Sequence, residues 1–184
     1  MKILSLDLET TPYLAYVWGV WNQNVSASQI VETRSIICAS YSYLYPKTGE
    51  YTVPKTISIG DFKSDFATNP YDDSKIIKPI YDLVMDADVV VGHNMDKYDY
   101  KVFQTRAFIN GLPPIPPKVS VDTLKILRRH FNFAHNRLDA VCRELGLGGK
   151  AETGGMDLWI KVLQGDKQAV KKMETYCERD VELL

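Results

Sequence analysis

Four carboxylates and one phenol hold the chemistry this sequence could do. Asp7 and Glu9 stand two residues apart in "KILSLDLE", Asp99 follows in "GHNMDKYD", and Tyr176 and Asp180 stand four apart in "YCERDVELL". Side chains alternate across a strand, so Asp7 and Glu9 share one face while Leu6 and Leu8 share the other. Four residues make about one helical turn, so Tyr176 and Asp180 point the same way. Adjacent acids repel each other and lose solvation when buried, unless a cation neutralises them. Each feature alone has an ordinary explanation. Asp7 and Glu9 could be solvated acids at a strand end. Asp99 could be an exposed acid in the first turn of a helix, where the dipole favours it. Asp180 could be a solvated acid beside a half-buried tyrosine, and Glu178 shows that acids are common in this stretch. Brought together, the four would make an oxygen-rich site with no cysteine and no obligatory histidine. Hard divalent cations, Mg2+ or Mn2+, prefer such a site. A pair of such ions about 3.5–4 Å apart is the usual device for in-line hydrolysis of phosphodiesters.

The elements that must position these groups can be read from pattern. "KILSLDLE" alternates and predicts a strand. "SIICASYSYLY" and "EYTVPKTISI" flank the turn "PKTG" and predict a hairpin. Residues 61–74 read as polar loop or a short helix. "KIIKPIYDLVMDAD" predicts a helix that begins near Pro79 or kinks there. "DVVVGHN" predicts a short strand covered on both faces, delivering polar groups at the carboxyl edge of the sheet, where ligands of open α/β sheets gather. "DKYDYKVFQTRAFINGL" predicts a helix ended by Gly111 and the Pro-rich run, and "VSVD" another strand. "TLKILRRHF", "RLDAVCRELGL", "MDLWIKVLQG" and "DKQAVKKMETYCERDVELL" predict four helices in succession. The order is that of a mixed α/β domain, with antiparallel strands first and parallel additions later. No repeat, low-complexity tract or interdomain linker interrupts it, so residues 1–184 are expected to form one domain. The last helical pattern still runs at Leu183 and Leu184 without a glycine or proline stop, which predicts that the helix continues beyond them.

Composition bounds the function. The chain has 184 residues, 45 % hydrophobic and 24 % charged, with a formal net charge of −1. That is an ordinary globular balance with no global basic signal, so nucleic-acid binding would need a local basic face. Cys38, Cys142 and Cys177 are an odd number without CxxC spacing, against a disulfide framework and a cysteine-rich zinc site, and in keeping with a reducing compartment. The first residues reach Asp7 and Glu9 too early for a signal peptide, and no apolar run approaches the roughly 20 residues of a membrane span. A cytoplasmic protein with no membrane partner is expected.

"DLET" at Asp7–Thr10, "GHNMDKYD" at Gly92–Asp99 and "YCERD" at Tyr176–Asp180 resemble, in order, the three motifs of the DEDD family of 3′–5′ exonucleases, which has a ribonuclease-H-like fold and includes polymerase proofreading domains. The Tyr-x3-Asp spacing resembles the tyrosine subtype. The histidine subtype would need His where Thr175 stands. "VDT" at Val121–Thr123 resembles a further element between the second and third motifs. "YCERDVELL" is especially similar to the third motif of family B DNA polymerases. Those carry long sequence before "DLET", so a stand-alone exonuclease, phage-encoded or microbial, is expected, and its polymerase or replication partner is not named by the sequence. The resemblance implies a mixed sheet flanked by helices and two divalent cations. Asp7, Glu9 and Asp180 would hold the first, Asp7 would bridge to the second, and Asp99 would hold the second directly or through water. Tyr176 would orient the attacking water, because a phenol titrating near about 10 is a poor base at neutral pH. The product would be a 5′-mononucleotide.

Other residues admit two readings. Asn94 could contact the terminal sugar or cap the following helix. His93 reads as a structural loop histidine. Thr10 could offer its hydroxyl or N–H to the 3′ end. Trp18 and Trp21 could stack on unpaired bases, though core packing is the expectation for at least one. Lys161, Lys167, Lys171 and Lys172 with Arg128 and Arg129 could track phosphates or simply face solvent. "GLGGKAETGG" fails as a P-loop, with Glu144 at the first glycine position and Ala151 after Lys150, although Lys150 could still touch a phosphate. Single-stranded DNA is the expected substrate. An exoribonuclease of the same fold and a silent nucleic-acid-binding module are the alternatives, since nothing here shows how a 2′-OH is treated.

Overall fold

The middle strand of the sheet in this computed structural model is the one that carries Asp7 and Glu9. The structure describes residues 1–62, 69–149 and 154–184. In chain order the strands and helices are β1 (Ile3–Thr10), β2 (Leu14–Ala15), β3 (Ile30–Glu32), β4 (Ile36–Tyr45), β5 (Glu50–Tyr51), β6 (Lys55–Ser58), α1 (Ser74–Asp86), β7 (Val89–Gly92), α2 (Asp99–Ile109), β8 (Val119–Asp122), α3 (Thr123–His130), α4 (Leu138–Glu144), α5 (Met156–Leu163) and α6 (Lys167–Glu182). The main sheet runs β5-β4-β1-β7-β8, with β6 also paired to β4. β1 is antiparallel to β4, whereas β1–β7 and β7–β8 are parallel. This is the expected mixed sheet flanked by helices.

The hairpin forms as its turn residues predict. β5 and β6 lie along the same edge of β4, and Pro54, which has no N–H to give a ladder, falls in the break between them. β7 is an interior strand, but only Val90 and Gly92 are buried while Val89 and Val91 are half-covered, so its two faces are not equally dry. Of the two readings for α1, a start near Pro79 fails. The helix begins at Ser74 and runs through Pro79. Proline removes one intrahelical bond, but Ile76 and Ile77 before it and Ile80 and Val84 after it are all buried in the main core. Burying each such side chain is worth about 1.5–3 kcal/mol, which outweighs the loss.

Leu4, Leu6 and Leu8 belong to the same core as those isoleucines and as Phe103 and Ala107 of α2. α6 contacts β1, β4 and β6. It does so on the face of Asp7, because Cys177 Sγ lies 3.4 Å from Asp7 Oδ2. Thr56 on β6 donates to Glu178 Oε1 at 2.8 Å, and so docks the same helix against the sheet. Among the described residues no helix is long and apolar enough to cross a membrane.

Residues 61–74, read as polar loop or a short helix, of which 63–68 lie outside the described residues, contain a feature the pattern did not show. Asp73 is fully buried and takes Arg106 Nε and Nη2 at 2.7 Å each. It also accepts the N–H of Ile36 at 2.9 Å and Asn110 Nδ2 at 3.2 Å. Its carbonyl accepts the N–H groups of Ile76 and Ile77, which starts α1. One carboxylate thus joins α1, the last turn of α2 and the start of β4. Asp73→Ala would leave a largely buried guanidinium without its partner, and chemical denaturation should register a loss of about 3–5 kcal/mol. An exposed substitution such as Lys75→Ala should change stability by less than about 0.5 kcal/mol in the same experiment.

Candidate active site

The site begins where β1 ends. Asp7 and Glu9 sit on one face of the strand, half-exposed, with Leu6 and Leu8 buried on the other. Between Glu9 and Thr10 the register to β4 shifts: Glu9 pairs with Cys38 but Thr10 with Ile36. Such a bulge re-aims the side chains beside it and is common at functional strand ends. From the far end of the chain α6 brings Asp180 to the same place. The carboxylates of Asp7, Glu9 and Asp180 lie within 4.8 Å of one another. Asp180 is only 2 % exposed, so the solvated reading of this residue fails. Tyr176 is half-buried one turn earlier on the same helix.

The donor set fits a hard cation. It consists of carboxylate oxygens alone, and octahedral ligands at about 2.0–2.1 Å would stand roughly 3–4.2 Å apart, within reach of small side-chain rotations from the observed spacing. Three acids gathered on a largely covered surface also repel, which a cation relieves.

Asp99 opens α2 and is 7 % exposed, so it is not the solvent-facing first-turn acid that its position alone would suggest. It stands outside the three-acid group. The loop that leads to it is tightly built. Asn94 has a positive φ of 63°, a conformation asparagine tolerates. Its N–H donates to Asp122 Oδ1 at 2.9 Å, and its carbonyl accepts the N–H groups of Lys97 and Tyr98. Helix α2 starts at Asp99 with Tyr98 before it, so Asn94 is not its cap. The turn is crowded: a Cβ on Gly92 would meet Met95 Cβ at 2.8 Å and the Leu6 carbonyl at 3.1 Å. His93 Nδ1 lies 2.9 Å from Thr123 Oγ1, the structural contact expected of it.

Thr10 is buried, its hydroxyl 3.0 Å from the Tyr98 hydroxyl and its carbonyl accepting Trp159 Nε1 at 3.0 Å. The end of β1 is therefore tied both to the Asn94 loop and to α5. Lys150 lies outside the described residues. The six basic residues grouped by sequence fall on different helices. Lys161 pairs with Asp157 and Lys171 with Glu174 on their own helices, while Arg128 and Arg129 belong to α3. Trp18 and Trp21 are 100 % and 84 % exposed, so core packing fails for both. The chain leaves the main sheet after Thr10, and β2 and β3 form a separate two-stranded ribbon. The segment between them has no core to enter.

Two supporting roles escaped the sequence reading, that of Asp122 within "VDT" and that of Cys177. Asp122, buried, accepts the N–H groups of Asn94, Asp96 and Leu124, capping α3 while it shapes the loop before Asp99. An Asp at the junction of a strand and a helix is a cap signal that could have found it. Cys177 directs its thiol at Asp7, 3.4 Å from both the carbonyl and Oδ2. Burial, followed by the neighbouring Cys38 thiol, pushes its pKa well above the ordinary value, so it stays protonated and donates. Only its place beside Tyr176 hinted at this.

The family model of the RNase H superfamily matches residues 48–184. That stretch includes Asp99, Tyr176 and Asp180 and begins after Asp7 and Glu9. No curated protein matches the chain. Among solved structures, the family B DNA polymerase from the hyperthermophilic archaeon Pyrobaculum calidifontis is similar, with a TM-score of 0.65 and 16 % identity over 99 % of this chain. The chain spans 23 % of that polymerase, and at this identity the likeness speaks for the fold alone.

Outer partners of metal ligands commonly contribute 10- to 100-fold to affinity, and a thiol is a weak donor. A divalent cation held by the three carboxylates would therefore bind about tenfold more weakly to Cys177→Ala in a calorimetric titration, with Cys177→Ser closer to the wild type. Equal affinities in all three proteins would remove Cys177 from any role in holding Asp7.

Proposed function

The chain belongs to the RNase H superfamily, and from that premise we propose that it is a divalent-metal-dependent 3′–5′ exonuclease of the tyrosine subtype of the DEDD family, releasing 5′-mononucleotides from single-stranded DNA. The family fold argues for a nuclease acting on nucleic acid. The observation that carries the finer reading is the meeting of Asp7, Glu9 and Asp180, drawn from the first strand and the last helix, with their carboxylates within 4.8 Å. A fold stabilised for its own sake gains nothing by gathering three acids at one point, least of all if its ligand is a polyanion.

In this reading residues 1–184 form one catalytic domain. Asp7, Glu9 and Asp180 would hold one cation, and Asp7 with Asp99 the second. Mg2+ or Mn2+ bound there would supply Lewis acidity at the scissile phosphate and lower the pKa of water at neutral pH. Asp7 and Glu9 can share this work because the strand places both on one face. Tyr176, one turn from Asp180, orients the attacking water and contributes position rather than proton transfer. Thr10 and Asn94, at the carboxyl ends of β1 and β7, would contact the 3′-terminal nucleotide in this reading. The three buried cysteines, with no disulfide among the described residues, accord with the reducing cytoplasm in which we place the protein.

Incubating 5′-labelled single-stranded DNA, and RNA of the same sequence, with Mg2+, Mn2+ or chelator tests the proposal. A metal-dependent ladder shortening from the 3′ end is expected, with DNA degraded faster. Asp7→Ala and Asp180→Ala should each lower the rate by about 10^3-fold or more, and Tyr176→Phe by about 10- to 100-fold. Internal cuts, or no cleavage by a folded protein with any metal, would sink the reading. Faster loss of the RNA would reassign the substrate.

A further inference from the structure

Two clefts meet over α3. One, of about 460 Å³, is bordered by Arg128, Asn136 and Arg137 and reaches His93 and Asn94. The other, of about 400 Å³, is bordered by Lys97, Lys125, Arg128 and Arg129. Asn94, Leu124 and Arg128 line both, so the two form one groove running from the Asn94 loop across the helix. Its charge is one-sided. The chain as a whole has 22 basic and 23 acidic residues, yet these walls bring five cations together. The carboxylate among the lining residues, Asp122, is buried and already accepts backbone N–H groups. Lys125 pairs with Asp96 at 2.5 Å. Arg128 and Arg129 are exposed and, among the described residues, have no carboxylate within ion-pair distance.

A further observation points to the occupant. Directly after the arginines, Phe131 and Phe133 pack as a pair with ring centroids 5.7 Å apart, and Phe131 is 57 % exposed. Cations along a groove and a ring open to stacking are what an unpaired nucleic-acid strand requires: charge for its phosphates and a π-face for a base. A flat, neutral protein partner would need none of the charge.

We infer that the groove over α3 binds the phosphodiester backbone of a single strand upstream of its 3′ end, with Arg128 and Arg129 on phosphates and Phe131 under a base. The inference rests on the exonuclease reading for its polarity. The groove reaches Asn94, whose loop runs on to Tyr98, and Tyr98 is hydrogen-bonded to Thr10 beside Glu9. A strand held there leads its end to the acids. The α3 groove thus sets how many nucleotides the protein grips, separately from the chemistry at the tip.

Fluorescence anisotropy with a labelled oligonucleotide of about twelve nucleotides, as DNA and as RNA, reads this directly with chelator present, so that nothing is hydrolysed. Arg128→Ala/Arg129→Ala should weaken binding at least about tenfold and reduce the slope of log affinity against log salt by about 1.4, two phosphates at roughly 0.7 each. Arg128→Lys/Arg129→Lys keeps the charge and should keep the slope. Phe131→Ala should weaken binding with the slope unchanged. Lys47→Ala/Lys75→Ala, which removes the same charge from exposed positions elsewhere, should do neither. An arginine pair whose loss leaves affinity and slope as in the wild type overturns the groove, even if the protein shortens strands. An arginine pair that carries affinity in a protein that shortens none keeps the groove and removes the exonuclease reading.

Discussion

A β-strand must send successive side chains to opposite faces, and the architecture described above follows from what β1 does with that rule. Leu4, Leu6 and Leu8 go into the core, which fixes the strand at the middle of the sheet. The same alternation then obliges Asp7 and Glu9 to face the other way, against α6. A slip of one residue would bury both acids among leucines and isoleucines, so the register is set by a large free-energy gap rather than by a turn. The apolar core and the acid cluster are therefore one constraint seen from two sides of a strand. The bulge at Glu9 and Thr10 is the only adjustment within it, and it occurs where the side chains change from structural to chemical use.

The rest of the molecule holds the neighbours of that strand in place. β7 lies parallel beside β1 and ends in the Asn94 loop, which Asp122 fastens from the next strand. Asp73 and Arg106 anchor α2 by its far end, leaving Asp99 at its near end beside the loop. Glu178 and Cys177 set α6 down on β6 and β1 so that Tyr176 and Asp180 arrive together. Each anchor is polar and buried or partly buried. Such contacts contribute less to stability than to the choice of a single arrangement, a role apolar packing fills poorly because it tolerates small slides.

The sequence carried most of this, and the parts it hid share a cause. The alternation of "KILSLDLE", the turn "PKTG" and the helical spacing of Tyr176 and Asp180 are local patterns, and the structure matches them. Asp73 in "NPYDDS" was unreadable, because its partner Arg106 lies 33 residues on and nothing in either neighbourhood announces the other. Pro79 suggested a helix start, which burial on both sides of it overrules. The two tryptophans misled for the opposite reason: large apolar residues usually find a core, but the ribbon that carries them leaves the sheet before one is available. Asp99 and Asp180 each looked dispensable in isolation. Their burial is a property of the assembled layers, which no single window of sequence contains.

The acid cluster joins the first strand to the last helix, and Cys177 meets Asp7 across 170 residues of chain. A polypeptide is made from its amino end, so β1 exists long before the helix that completes its outer face. Until α6 has been synthesised and has docked, Asp7 and Glu9 stand on an uncovered strand without Asp180. Long-range pairings of this kind also form late in folding, because the entropy of closing so large a loop is met before the contacts reward it. Assembly of the cluster therefore reports on completion of the whole domain. A nascent or partly unfolded chain, whatever else it binds, does not yet possess the three-carboxylate constellation.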